Sequence, residues 1–253
     1  MRFLCLHGMS TNTSVLEFQI QGIRAKLDPS HEYVFLDGHI ETDAAPGVGD
    51  IFPGPYYGYY TENSREQIEF AYERVINFVE SRGPFGGVIG FSQGGALAAA
   101  AMLRHAKLNP EAEPLFKLGI FLCCTLPFDL SGPPESEANG CNGSTENPSG
   151  AVGNTDLKLK SAKGKQTLQQ FNPKTHSERI TVPTVHIIGR QDQYLDQCEA
   201  LADLCCVNGN ADGNMTRIYH ERGHLVARDP PFVSKAVNVI EDKILGVESP
   251  GCG

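Results

Sequence analysis

No run of this 253-residue chain is apolar enough for long enough to span a bilayer, which excludes a membrane-spanning helix. A basic stripe is missing too. With 21 Lys and Arg against 30 Asp and Glu, the net charge of -9 argues against a nucleic-acid or anionic-membrane partner, because nothing clusters to release counterions from phosphate. Only 158–165 is locally basic, and it lies in a polar stretch. Met1 runs directly into an apolar segment with no charged n-region, apolar h-region and cleavage site, so the expectation is a cytoplasmic protein. The eight cysteines then read as reduced thiols rather than a disulfide frame, and their spacing contains no pair of C-x-x-C units that would hold zinc.

What is present is a pattern of short apolar runs at 2–6, 33–36, 87–91, 118–124, 183–188 and 216–219. These alternate with helix-like stretches at 13–27, 64–81, 94–107, 194–207 and 231–244. Such alternation is the signature of a parallel sheet with crossover helices. The length and the 40% hydrophobic content suit one α/β domain over 1–253. Residues 131–155 break the pattern, since 16 of the 25 are Gly, Pro, Ser or Asn. A stretch so poor in apolar surface cannot offset its ordering entropy, so 131–172 is expected to be a mobile insertion, either a lid or a dangling loop.

The most informative segment is Gly90-Phe91-Ser92-Gln93-Gly94, between the apolar run Gly87-Val88-Ile89 and the small-residue run that begins at Gly95. Gly-x-Ser-x-Gly at a strand-to-helix junction is the nucleophile elbow, a turn so tight that only glycines fit beside the serine. Ser92 is thereby expected at a helix N-terminus, its hydroxyl open to a base and the Gln93 amide aimed where negative charge develops during acyl transfer.

A serine nucleophile requires a base, an orienter for it and a second oxyanion donor. His224 follows the strand-like run 216–219, and Asp192 follows the run 182–188, giving the chain order Ser, Asp, His that this constellation uses on an α/β sheet. His220 is the nearest rival base, but it sits at the strand end and reads as a packing residue. Asp129 is the rival carboxylate and reads as a turn or cap. His7-Gly8 opens a loop after the first strand, so the Met9 amide is expected to join that of Gln93. The loop 46–60 carries Tyr56, Tyr57 and Tyr59, for which two readings stand: lining an acyl pocket, or packing the loop onto the body.

With these residues in hand, the chain resembles the fungal FSH-type serine hydrolases. Phe3-Leu4-Cys5-Leu6-His7-Gly8, the Gly-Pro-Tyr-Tyr loop, Gly90 to Gly95, Gly189-Arg190-Gln191-Asp192 and Gly223-His224 carry the likeness, which covers nearly the whole chain. The resemblance implies a trimmed α/β-hydrolase fold, an about six-stranded sheet and a catalytic triad of Ser92, Asp192 and His224. It implies neither metal nor organic cofactor. The expected reaction is cleavage of an ester or thioester, free or carrier-protein-bound, in the manner of stand-alone thioesterases or esterases of fungal polyketide pathways. Two alternatives keep the same fold: a ligand-binding member without turnover, and an acyltransferase or cyclase using the same three residues.

Overall fold

The computed structural model describes residues 1–130, 168–206 and 214–249. Six strands form one parallel sheet: β1 (Arg2–Leu6), β2 (Glu32–Leu36), β5 (Gly87–Phe91), β6 (Leu118–Leu122), β7 (Thr184–Gly189) and β8 (Met215–His220). Their order across the sheet is β2-β1-β5-β6-β7-β8. Five helices flank it: α1 (Thr13–Arg24), α2 (Arg65–Arg82), α3 (Gln93–Leu108), α4 (Leu195–Asp203) and α5 (Pro230–Glu248).

Each central strand reads as a continuous apolar run because both of its faces are covered. In β1, Leu4 and Leu6 join a core with α2, α3 and α4 residues such as Val75, Leu97 and Leu201. Phe3 and Cys5 point the other way, into a second core with Leu16 and Ile20 of α1 and Phe232 and Ile240 of α5. The period-two alternation thus feeds two layers of helix at once. Because the strands are parallel, the C-terminal ends of β1, β5, β7 and β8 emerge on one edge of the sheet, where α/β proteins gather ligand-contacting loops.

Several boundaries differ from the sequence expectation. Strand β6 stops at Leu122 rather than at 124, because Cys123 has φ 48°, a conformation that cannot continue a strand. Helix α4 ends at Asp203, whereas α5 runs on to Glu248. A small antiparallel pair, β3 (Ile40–Thr42) with β4 (Tyr56–Gly58), is not among the expected strands, and β4 falls inside the loop read at 46–60. Of the expected insertion 131–172, residues 131–167 lie outside the described residues. Of the rest, Gln170 bridges Phe128, the Phe171 N–H donates to Pro127 O at 2.8 Å, and the Phe171 ring is buried. Among the described residues no helix is long and apolar enough to cross a membrane.

Candidate active site

Ser92 is the residue between β5 and α3, with φ 51° and ψ -119°. A side chain held in that region is strained, and the neighbours show why the strain persists. A Cβ on Gly90 would lie 2.3 Å from Gly95 Cα, and one on Gly94 would lie 2.3 Å from Leu6 O and 2.5 Å from His7 O. Strand and helix therefore meet backbone against backbone. The Ser92 N–H donates to Leu122 O at 3.0 Å, tying the turn to β6.

The three side chains named from the sequence converge at this turn. Ser92 Oγ lies 2.8 Å from His224 Nε2, and His224 Nδ1 lies 2.9 Å from Asp192 Oδ2 and 3.1 Å from Oδ1. A carboxylate only accepts, so Nδ1 carries the proton and Nε2 is left free to accept one from the serine. The Asp192 side chain is fully buried, whereas His224 keeps 23% of its side-chain surface exposed. Asp192 Oδ1 also accepts the Tyr194 N–H at 2.8 Å. The two loops that supply these residues are stitched together: Arg190 N–H donates to His220 O, and Gln191 N–H to Arg222 O.

Sequence reasoning missed the rings around the imidazole. Phe91 and Tyr194 each place a ring centroid 5.1 Å from that of His224, and Tyr194 approaches edge-on at 76°. The first is the residue before the serine, and the second follows Asp192 in an Asp-x-Tyr turn, so both signals were adjacent to recognised motifs. The rival base His220 sits elsewhere. Its ring meets Phe232 edge-on, its Nε2 lies 3.8 Å from Cys123 Sγ, and burial pushes its pKa down. Asp129 Oδ2 lies 3.4 Å from His176 Nε2, outside the constellation.

The turn after β1 also approaches Ser92. A Cβ on Gly8 would sit 3.4 Å from Ser92 Cβ, which puts the Gly8-Met9 peptide beside the serine. The Gln93 amide is the first of α3 and has no carbonyl one turn back to accept it, so it and the positive end of the helix face the same space. His7 is a neutral strut: its Nε2 accepts the Gly38 N–H at 2.9 Å, its Nδ1 donates to Gly8 O at 2.7 Å, and burial lowers its pKa. Although Asp37 Oδ1 is 3.7 Å from His7 Nε2, that nitrogen is occupied as an acceptor, so the contact is not an ion pair.

The tyrosines divide. Tyr59 is 2% exposed, its hydroxyl accepts the His7 N–H at 3.0 Å and donates to Leu36 O at 2.7 Å, so it does not line an open pocket as the sequence allowed. Tyr56 turns its hydroxyl back onto Phe52 O, and Tyr57 is half-buried in β4. The Tyr57 backbone braces the turn after β1, accepting from Ser10 N–H at 3.0 Å and donating to Thr11 O at 2.7 Å. Gln93 has its whole side chain engaged: Oε1 accepts the Tyr59 N–H at 2.9 Å, and Nε2 donates to Tyr60 O at 2.7 Å and to Met9 Sδ at 3.5 Å. Among the described residues no group of His, Cys, Asp or Glu is arranged to hold a metal, and Cys5, Cys123, Cys124, Cys198, Cys205 and Cys206 are free thiols.

The family model described as serine hydrolase (FSH1) matches residues 1–236. The chain is 33% identical to hydrolase FUB4 of Fusarium oxysporum f. sp. lycopersici, over 88% of this chain and 91% of that one. It is 32% identical to esterase FPY3 of Fusarium mangiferae, over 98% and 95%. Among solved structures, the carboxylesterase of Bacillus cereus superposes with a TM-score of 0.54 at 16% identity, covering 95% of this chain and 87% of that one, a likeness of fold.

Proposed function

The chain belongs to the serine hydrolase (FSH1) family, and from that premise we propose that it cleaves an ester or thioester through a covalent acyl-Ser92 intermediate. The observation that carries this reading is the unbroken chain of contacts from Ser92 Oγ through His224 to Asp192.

In the first half-reaction His224 Nε2 takes the Ser92 hydroxyl proton as Oγ attacks the acyl carbonyl carbon. The carbonyl oxygen becomes an oxyanion and receives the amides of Met9 and Gln93, a pre-set arrangement worth about 3–4 kcal/mol per donor when one is lost. Collapse breaks the bond to the leaving alcohol or thiol, which takes the proton from His224. Water then gives a proton to His224 and attacks the acyl carbon, and the second tetrahedral species expels Ser92 Oγ, which recovers its proton. Asp192 holds the imidazole in the Nδ1–H tautomer and stabilises its charged form without itself accepting the proton.

The printed names of the Fusarium relatives, a hydrolase and an esterase, agree in reaction type. We extend the proposal to an acyl substrate of a fungal polyketide pathway, with Tyr56 and Tyr57 facing the acyl group from the sheet edge. Mass spectrometry of the adduct trapped from a cell extract reports the acyl mass and so tests that extension. The reaction itself is tested with a p-nitrophenyl ester: Ser92→Ala is expected to lower kcat by about 10³-fold or more. Retained turnover in that variant refutes the mechanism, and absence of any turnover in the wild type favours a binder.

A further inference from the structure

Tyr59 and the Gln93 side chain lie between the two proposed oxyanion donors without contributing either donor. Met9 hangs from β1, and Gln93 opens α3 after β5; nothing in their covalent connection fixes the gap between their amides. The Tyr57–Tyr60 segment bridges that gap. On the Met9 side, the Tyr59 hydroxyl accepts the His7 N–H at 3.0 Å, and Ser10 N–H and Thr11 O pair with the Tyr57 backbone at 3.0 and 2.7 Å. On the Gln93 side, the Gln93 amide group closes a two-bond clamp on Tyr59 N–H and Tyr60 O, at 2.9 and 2.7 Å. Gln93 Nε2 also reaches Met9 Sδ at 3.5 Å, while the Tyr59 hydroxyl anchors the assembly to β2 through Leu36 O at 2.7 Å. Every one of these polar atoms is spent inside the network, and Tyr59 is among the largest fully buried side chains.

Resting on the acyl-Ser92 reading, we propose that Tyr59 and the Gln93 side chain are positioning residues that set the spacing of the Met9 and Gln93 amides, so the oxyanion hole is built by the tyrosine segment as much as by the two turns. A buried network of this kind has few alternative arrangements, because each broken bond leaves an unsatisfied polar group. A shift of about 1 Å in a donor is enough to cost on the order of 100-fold in rate.

The test compares Tyr59→Phe with Tyr72→Phe, a hydroxyl deletion on a buried tyrosine of α2 that takes no part in this network. Kinetics with a p-nitrophenyl ester are paired with binding of an arylboronic acid, whose tetrahedral adduct on a serine places an oxygen in the hole. Tyr59→Phe is expected to lower kcat about 10- to 100-fold with KM within about twofold. Boronate affinity falls by the same factor, and Tyr72→Phe stays near wild type in both. Gln93→Leu, which keeps its backbone amide, is expected to repeat the pattern and carries the test if Tyr59→Phe does not fold. Wild-type kcat and boronate affinity in folded Tyr59→Phe or Gln93→Leu, in an enzyme that Ser92→Ala silences, overturns this inference alone. So does a fall in kcat without a fall in boronate affinity. Full activity in Ser92→Ala instead removes the acyl-enzyme reading and this inference with it.

Discussion

A proton moved over the 2.8 Å between Ser92 Oγ and His224 Nε2 is useful only if the imidazole presents the correct nitrogen. That choice is made by Asp192, whose buried carboxylate accepts from Nδ1 and from the Tyr194 amide. Asp192→Asn can donate to Nδ1 and so favours the wrong tautomer. The expected loss in kcat is about 10³- to 10⁴-fold, measured with a p-nitrophenyl ester. Asp129→Asn is expected to stay within about twofold, since Asp129 stands on His176 rather than on His224. A crippled Asp129→Asn beside an active Asp192→Asn reassigns the orienter.

The elbow belongs to the scale of elements, because Gly94 is where α3 touches β1. Gly94→Ala drives a methyl to 2.3 Å from Leu6 O, a contact with backbone that cannot swing aside. The expected cost is about 2–4 kcal/mol in urea unfolding, with turnover reduced further by displacement of Ser92. Wild-type stability in Gly94→Ala contradicts the close packing. The elbow, the six strands of the sheet and the positions of Asp192 and His224 were legible in the sequence, because each rests on local pattern: apolar runs, glycines flanking a serine, polar residues just past strand ends. The pair β3–β4 was not, since three-residue strands in a segment rich in Gly, Pro and Tyr carry no readable alternation. The choice between the two readings of Tyr59 was not legible for a related reason. Its role depends on His7 N–H and Leu36 O, partners 52 and 23 residues away that no local pattern announces.

Among the described residues, five histidines are held below their ordinary pKa by burial: His7, His31, His39, His220 and His186, the last pushed down to about 3. His186 lies wholly inside the sheet, with its ring stacked 5.0 Å from Phe121 and its Nε2 3.2 Å from Thr184 Oγ1. An unfolded histidine binds a proton near pH 6.5, whereas the folded site refuses it until about pH 3. Stability from this source is therefore full above about pH 6.5 and falls as the pH drops toward the folded pKa, by up to about 1.4 kcal/mol per pH unit for each such group. Urea midpoints are expected to fall from pH 7 to pH 5, and His186→Phe to flatten that slope. A midpoint that rises on acidification, or an unchanged slope in His186→Phe, contradicts this. The fold as a whole brings an aspartate and a histidine, the latter 132 residues away in sequence, to one serine. Fluorophosphonate labelling with peptide mapping tests that convergence most directly. A single adduct is expected, on the peptide carrying Ser92, absent from Ser92→Ala and strongly slowed in His224→Ala; an adduct on another serine, or one that persists in Ser92→Ala, contradicts it.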